Sequence, residues 1–149
     1  MSQYEWIVSS PYTRSLQMAA IINKSWGLPV KVEFDLHEWT PDQWQASSAE
    51  EIAELYHDYV RHKGCCPPGE QKLWETKDSL MQRTSSVLKK YVGAFNLIVV
   101  YHGMVIASPL PYYSCDRQAF RNVSCCIMEV RLHREEGGVT GVIRQQTEK

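Results

Sequence analysis

The feature that most constrains the fold is a run of five consecutive apolar or aromatic residues, Leu97-Ile-Val-Val-Tyr101. A strand with one face in water alternates apolar and polar residues, so an unbroken run predicts a strand covered on both faces. The run is far shorter than the roughly 18–20 residues that span a bilayer. Covering both faces of a sheet requires helices above and below it, which is the arrangement of an α/β fold.

Four further segments have the composition of strands. Aromatic and β-branched residues predict a short buried strand over Tyr4–Val8, and alternating apolar and polar residues predict a half-buried strand over Val30–Phe34. Farther along the chain, Ser124–Leu132 is predicted as a fourth strand and Val139–Ile143 as a fifth.

Three segments between the early strands carry helix signals. Ser10 is a good N-cap and Pro11 suits the first helical position, so we expect a helix that runs to about Lys24. Ser47 or Ser48, with a glutamate at position 51, resembles a capping box that opens a second helix. Helical spacing of apolar residues predicts a third helix over about 70–91.

Strands that alternate with helices predict an α/β fold with a mostly parallel sheet and helices on both faces. A length of 149 residues suits one domain. We expect residues 1–143 to form that domain and residues 144–149 to be a frayed tail.

Composition excludes several classes of protein. The 16 basic and 17 acidic residues give a net charge of -1, so no electrostatic argument favours nucleic acid or an acidic membrane surface as a partner. The first residues lack the basic and apolar regions of a signal peptide, and five cysteines with two adjacent pairs favour free thiols, so we expect a cytoplasmic protein. No spacing predicts a metal site or a cofactor. The oligomeric state stays open.

Three polar side chains follow predicted strands, where ligands of open α/β sheets bind. Arg14 lies in the first turn after the first strand, Glu38 in the loop after the second, and His102 directly after the apolar run. An arginine fork and helix N–H groups match a phosphate, and a carboxyl group can donate a proton. Each residue also has an ordinary interpretation: a solvated helix arginine, a surface acid and a hydrogen-bonded histidine at a strand end.

The order of three stretches resembles the histidine phosphatase, or phosphoglycerate mutase-like, superfamily. The stretches are Ser9-Ser-Pro-Tyr-Thr-Arg-Ser-Leu-Gln-Met-Ala19, Val32-Glu-Phe-Asp-Leu-His-Glu-Trp39 and Leu97-Ile-Val-Val-Tyr-His-Gly103. The resemblance covers roughly residues 4–132 and implies a three-layer α/β sandwich. It implies that Arg14, His102 and Ser10 bind phosphate, that His102 is the second catalytic histidine, and that Glu38 is the proton donor. It also implies a phosphorylated small molecule or a phosphoprotein as partner.

The sequence departs from this family at two places. Met18 stands where the family usually has threonine, and no Arg-His-Gly motif supplies the histidine that becomes phosphorylated. We therefore expect a domain that is incomplete at its amino end, with phosphate monoester hydrolysis impaired by the missing nucleophile. The alternatives are a non-catalytic relative that binds phosphate or a phosphoprotein, and an α/β domain in which the motifs are residual.

Overall fold

The structure is a computed structural model that describes residues 4–91, 96–107, 127–135 and 138–146. Three parallel strands form its main sheet: β1 (Trp6–Ser9), β2 (Val30–Val32) and β3 (Leu97–Val100). Their order is β2-β1-β3, so β1 is the central strand of the three. The register places Ser9 opposite Val32 on one side and opposite Val100 on the other, which aligns the carboxyl ends of the strands.

Four helices accompany the sheet in the described residues. Their bounds are α1 (Thr13–Trp26), α2 (Ala49–Arg61), α3 (Lys77–Tyr91) and the short α4 (Gly103–Ala107), with a 3-10 turn over Phe34–Leu36 between β2 and α2. None of these helices is long and apolar enough to cross a membrane.

Both faces of β1 are covered, as the predicted α/β fold requires. Ile7 and Val8 point to opposite faces of the sheet because successive strand residues alternate, and both are almost fully buried. Val8 packs with Val87 and Tyr91 of α3, while α1 contacts β1 and β3. The fold class predicted from the sequence is therefore confirmed.

The apolar strand β3 is less covered than its composition predicts. All four of its residues are half-buried, and in the described part of the chain β3 pairs with β1 alone. A strand with one hydrogen-bonded neighbour leaves its other edge less protected, which accounts for the partial exposure.

The beginnings of two helices differ from the prediction. Helix α1 starts at Thr13 with Tyr12 as its N-cap residue, and the Ser10 hydroxyl accepts the N–H of Tyr12 (3.3 Å) and contacts His102. Helix α3 starts at Lys77, about seven residues later than predicted, because Thr76 caps it: the Thr76 hydroxyl accepts the N–H of Ser79 (3.2 Å). Gly27 ends α1 in a left-handed conformation (φ 62°). The predicted capping box is confirmed at Ser48, the second of its two alternatives.

The last two predicted strands exist but form a sheet of their own. β4 (Ile127–Glu135) and β5 (Gly138–Gln146) pair antiparallel over nine residues each. Only two residues separate them, and a connection that short joins antiparallel strands, whereas a parallel pair needs a crossover. β5 extends to Gln146, so residues 144–146 of the predicted tail are in a strand, and 147–149 lie outside the described residues. The predicted boundary of the domain itself stays a prediction.

Candidate active site

The polar residues singled out in the sequence meet at the carboxyl ends of β1 and β3. Ser10 directly follows β1, and its backbone N–H donates to the carbonyl of Val100 (2.9 Å), which ties it to the end of β3. His102 lies two residues beyond that carbonyl, and its Nε2 is 2.8 Å from the Ser10 hydroxyl. Parallel pairing thus joins two residues that are 92 positions apart in the chain.

His102 is buried, with only 5% of its surface exposed, and its two ring nitrogens have different partners. Nδ1 is 3.1 Å from Nη2 of Arg14, and Nε2 faces the hydroxyls of Ser10 and, at 3.4 Å, Ser15. A guanidinium can only donate, so Nδ1 accepts from Arg14 and the proton of the neutral ring is on Nε2. Burial, followed by the nearby cations including Arg14, lowers the pKa of His102 to about 4.

Glu38 completes the group from the loop that follows β2 and the 3-10 turn. Its Oε1 accepts the backbone N–H of Trp39 (2.9 Å), which fixes the carboxylate. Its Oε2 lies 3.8 Å from Nδ1 of His102 and 3.9 Å from Nη2 of Arg14. Burial raises the pKa of Glu38, against the opposing effects of the Trp39 N–H and the Arg14 charge. A raised pKa brings a carboxyl group closer to the range in which a general acid operates.

Arg14 forms the open side of the site. Its side chain is 63% exposed, and its guanidinium lies over the ring of Tyr12 at 4.9 Å. It lines a shallow depression together with residues of the first turn of α1 and the segment before it: Pro11, Tyr12, Thr13 and Gln17. The arginine therefore presents positive charge to solvent beside a buried histidine.

A second arginine, which sequence reasoning missed, holds the Glu38 loop by hydrogen bonds from α3. Arg83 of α3 donates to Glu75 through Nε (2.6 Å) and Nη2 (2.9 Å). It also donates to the backbone carbonyls of Asp35 (2.7 Å), His37 (2.8 Å) and Glu38 (3.2 Å). The Arg83 and Glu75 side chains are 13% and 8% exposed. No helical spacing could reveal this pair, because Glu75 precedes the helix that carries Arg83.

Aromatic rings surround the site on the side of Arg14. The ring of Tyr12 meets that of His102 edge-on, with centroids 5.0 Å apart, and the ring of Trp44 at 6.4 Å. Trp44 also contacts His37 (5.2 Å) and Phe34 (6.4 Å). No strand-end pattern in the sequence singles out these rings as part of a site.

No group of three or more His, Cys, Asp or Glu side chains that could hold a metal ion occurs within the described ranges.

Similarity to solved structures supports this fold. The chain superposes on "Mycobacterial hydrolase 1" with a TM-score of 0.65 at 17% identity, over 97% of this chain and 76% of that one. The mycobacterial glucosyl-3-phosphoglycerate phosphatase matches with a TM-score of 0.55 at 21% identity, over 71% of this chain and 56% of that one. A putative alpha-ribazole-5'-P phosphatase from Escherichia coli matches with a TM-score of 0.53 at 16% identity, over 80% and 61% of the two chains.

The chain thus spans less than two thirds of the length of both phosphatases. No curated protein matches it. The sequence model of the histidine phosphatase superfamily (branch 1), in contrast, matches residues 2–142, which is nearly the whole chain. This match confirms the resemblance seen in the three stretches, and the chain belongs to the histidine phosphatase superfamily, branch 1.

Proposed function

We propose that the site binds the phosphate group of a phosphate monoester and hydrolyses the ester slowly, by direct attack of water. Arg14, Ser10 and His102 hold the phosphate, and Glu38 is the proton donor. The oxygen of water bonds to phosphorus as the ester P–O bond breaks, and the leaving oxygen takes the proton of Glu38. The proton lost by water passes to solvent, from which Glu38 is reprotonated.

One observation carries this proposal: Arg14 Nη2, His102 Nδ1 and Glu38 Oε2 lie within 3.1–3.9 Å of one another. The exposed guanidinium offers further N–H donors to phosphate oxygens. A dianion beside the ring favours the charged imidazolium and therefore raises the pKa of His102, so that the ring adds a second positive charge beside the phosphate. Positive charge placed where negative charge develops in the transition state is the largest contribution to the rate acceleration of many acyl and phosphoryl transfers.

We expect slow turnover because, among the described residues, the histidines beside the site have ring nitrogens that already contact other groups. Both nitrogens of His102 are engaged with described neighbours, Nε2 with Ser10 and Nδ1 with Arg14. The other histidine beside the site, His37, places its Nδ1 2.7 Å from the carbonyl of Glu38. A covalent phosphohistidine route divides the reaction into two easier steps, and direct attack by water lacks that advantage.

The same engagement of His102 favours a second function, which is binding without turnover. A site with an exposed guanidinium, and with His102 already engaged among the described residues, suits recognition of a phosphorylated small molecule or a phosphoprotein. The two functions share the phosphate site and differ only in whether the ester bond breaks.

Calorimetric titration with inorganic phosphate and tungstate tests the shared site. We expect Arg14→Met to weaken phosphate binding by about 10- to 100-fold, since hydrogen bonds to charged groups contribute about 1.5–3 kcal/mol. Arg61→Met, at an exposed arginine that ends α2, is the matched control and leaves the affinity unchanged. Failure of the wild-type chain to bind either anion would contradict both functions.

Release of phosphate from p-nitrophenyl phosphate then separates the two functions. Turnover that falls in Glu38→Gln while phosphate still binds supports hydrolysis with Glu38 as the acid. Binding with no turnover in the wild-type chain supports the recognition function instead.

A further inference from the structure

Two aromatic side chains next to the phosphate site are unusually exposed. Phe34 is 63% exposed and Trp44 58%, whereas Trp39 and Trp74 are 8% and 1% exposed. We call Phe34 and Trp44, together with Tyr12 and His37, the aromatic rim. Large exposed aromatic groups beside polar groups are common at ligand sites, because a ligand that covers them removes apolar surface from water.

The aromatic rim is continuous with the residues that hold the phosphate. Tyr12 contacts both: its ring meets His102 at 5.0 Å and lies under the Arg14 guanidinium at 4.9 Å. The ring of Tyr12 also contacts the ring of Trp44, with centroids 6.4 Å apart. A group esterified to a phosphate on Arg14 can therefore extend across Tyr12 toward the exposed ring of Trp44.

The loop that carries Trp44 has a strained backbone conformation. Gln43, Trp44 and Ala46 all have positive φ values, of 49°, 67° and 56°, a region that disfavours residues with a Cβ. The buried carboxylate of Asp42 maintains the loop, because it accepts the N–H of Trp44 (3.1 Å) and that of Ser47 (2.8 Å). Strain of this kind clusters at ligand sites, where the conformation is worth its cost.

We propose that the organic part of the substrate is a planar aromatic group that packs on the aromatic rim while its phosphate binds at Arg14. This inference rests on the proposed phosphate site. Aromatic rings prefer edge-on or offset contacts with centroids 4.5–7 Å apart, and the rings of the rim already have this spacing among themselves. A saturated ring of the same size would bury similar area without that preference.

Calorimetry with phenyl phosphate, cyclohexyl phosphate and inorganic phosphate tests the proposal on the full chain. We expect phenyl phosphate to bind about 2- to 10-fold more tightly than cyclohexyl phosphate, from the gain of aromatic pairs beyond area burial. Trp44→Leu removes this difference and leaves the affinity for inorganic phosphate unchanged. Trp26→Leu is the matched control, since Trp26 is 41% exposed and contacts Tyr4 instead of the rim.

Two results would overturn the aromatic preference while leaving the phosphate site intact. One is equal affinity for the phenyl and cyclohexyl esters, and the other is a Trp44→Leu variant that retains the full preference. Loss of all binding, inorganic phosphate included, contradicts the phosphate site as well. Adding O-phosphotyrosine and adenosine 5'-monophosphate identifies the source of the ring: tighter binding of the first supports a ring bonded to the ester oxygen, and tighter binding of the second supports a ring set back by a sugar.

Discussion

The site contains two arginines with different surroundings. We call the exposed side at Arg14 the mouth of the site, and the buried side where Arg83 holds the Glu38 loop the floor. At the mouth, Arg14 is 63% exposed, and among the described residues its polar contacts are His102 and a 3.9 Å ion pair with Glu38. At the floor, Arg83 is 13% exposed and donates to two carboxylate oxygens of Glu75 and to three backbone carbonyls. A guanidinium whose donors are already satisfied maintains the structure, whereas one with donors facing solvent is available to a ligand.

Glu38 connects the two arginines through different atoms. Its side chain faces Arg14, while its backbone carbonyl accepts from Arg83. Arg83 therefore fixes the loop that carries the carboxylate, and Arg14 is the proposed anion ligand beside it. The following predictions test this division of roles.

We expect the largest effect on stability when Arg83, at the floor, is replaced. Arg83→Met leaves Glu75 as a buried, unpaired carboxylate, so we expect the free energy of unfolding to fall by about 3–5 kcal/mol. Urea denaturation at pH 7 measures the loss. Arg14→Met is the matched comparison and costs less than about 1 kcal/mol, because its ion pair is exposed.

A milder variant keeps this test informative if Arg83→Met does not fold. Arg83→Lys retains the charge but not the planar fork, so its stability should lie between those of the wild type and the methionine variant. Equal losses at Arg14 and Arg83 would contradict the distinction between mouth and floor.

The next effect concerns His102, whose pKa both arginines lower after burial has done so. The folded-state value is about 4, and the ordinary value is 6.5. The unfolded chain therefore binds a proton at a higher pH than the folded chain. This contribution to stability is complete above pH 6.5 and decreases as the pH falls toward 4, by about 3 kcal/mol in total.

Urea denaturation of the wild type and of His102→Gln between pH 7.5 and 4 isolates this contribution. Other titrating groups act in both proteins, so the difference between the two profiles belongs to His102. We expect the wild type to lose more stability than the variant as the pH falls. Parallel profiles would show that the ring is not held in its neutral form.

The smallest effect is expected where the two regions meet. Glu38→Gln removes a negative charge beside Arg14 but keeps the backbone carbonyl that Arg83 holds. We expect phosphate at pH 7.5 to bind about 2- to 5-fold more tightly, because an exposed ion pair contributes about 0.2–1 kcal/mol. Calorimetry measures the change, and Glu54→Gln, at an exposed glutamate of α2, is the matched control. Weaker binding in Glu38→Gln would mean that the carboxylate orients Arg14 for the anion.

The sequence predicts the convergence of Arg14, Glu38 and His102 because each follows a strand, and parallel strands end at one edge of a sheet. Their roles in binding and catalysis stay predictions. Arg83 escapes such reasoning because its partners are carbonyls in a loop, and loop geometry has no periodic signal. The cap at Thr76 likewise begins α3 later than the apolar spacing predicts.

The strands beyond the site show a different limit. Alternation and composition locate β4 and β5 to within a few residues, yet they do not specify which strand pairs with which. The predicted mostly parallel sheet is present in β1, β2 and β3, while β4 and β5 pair with each other. Pairing depends on the length of the connection as much as on the strand itself.

The 92-residue separation between Ser10 and His102 has a consequence for biosynthesis. At about 5–20 residues per second, the ribosome releases His102 roughly 5–18 s after Ser10. During that interval the nascent chain carries Arg14 and the first helix without their partner strand. Contacts between distant residues also form slowly because they require closure of a long loop. The proposed anion site is therefore complete only after β1 and β3 have paired, so the anion binding proposed above would report that pairing.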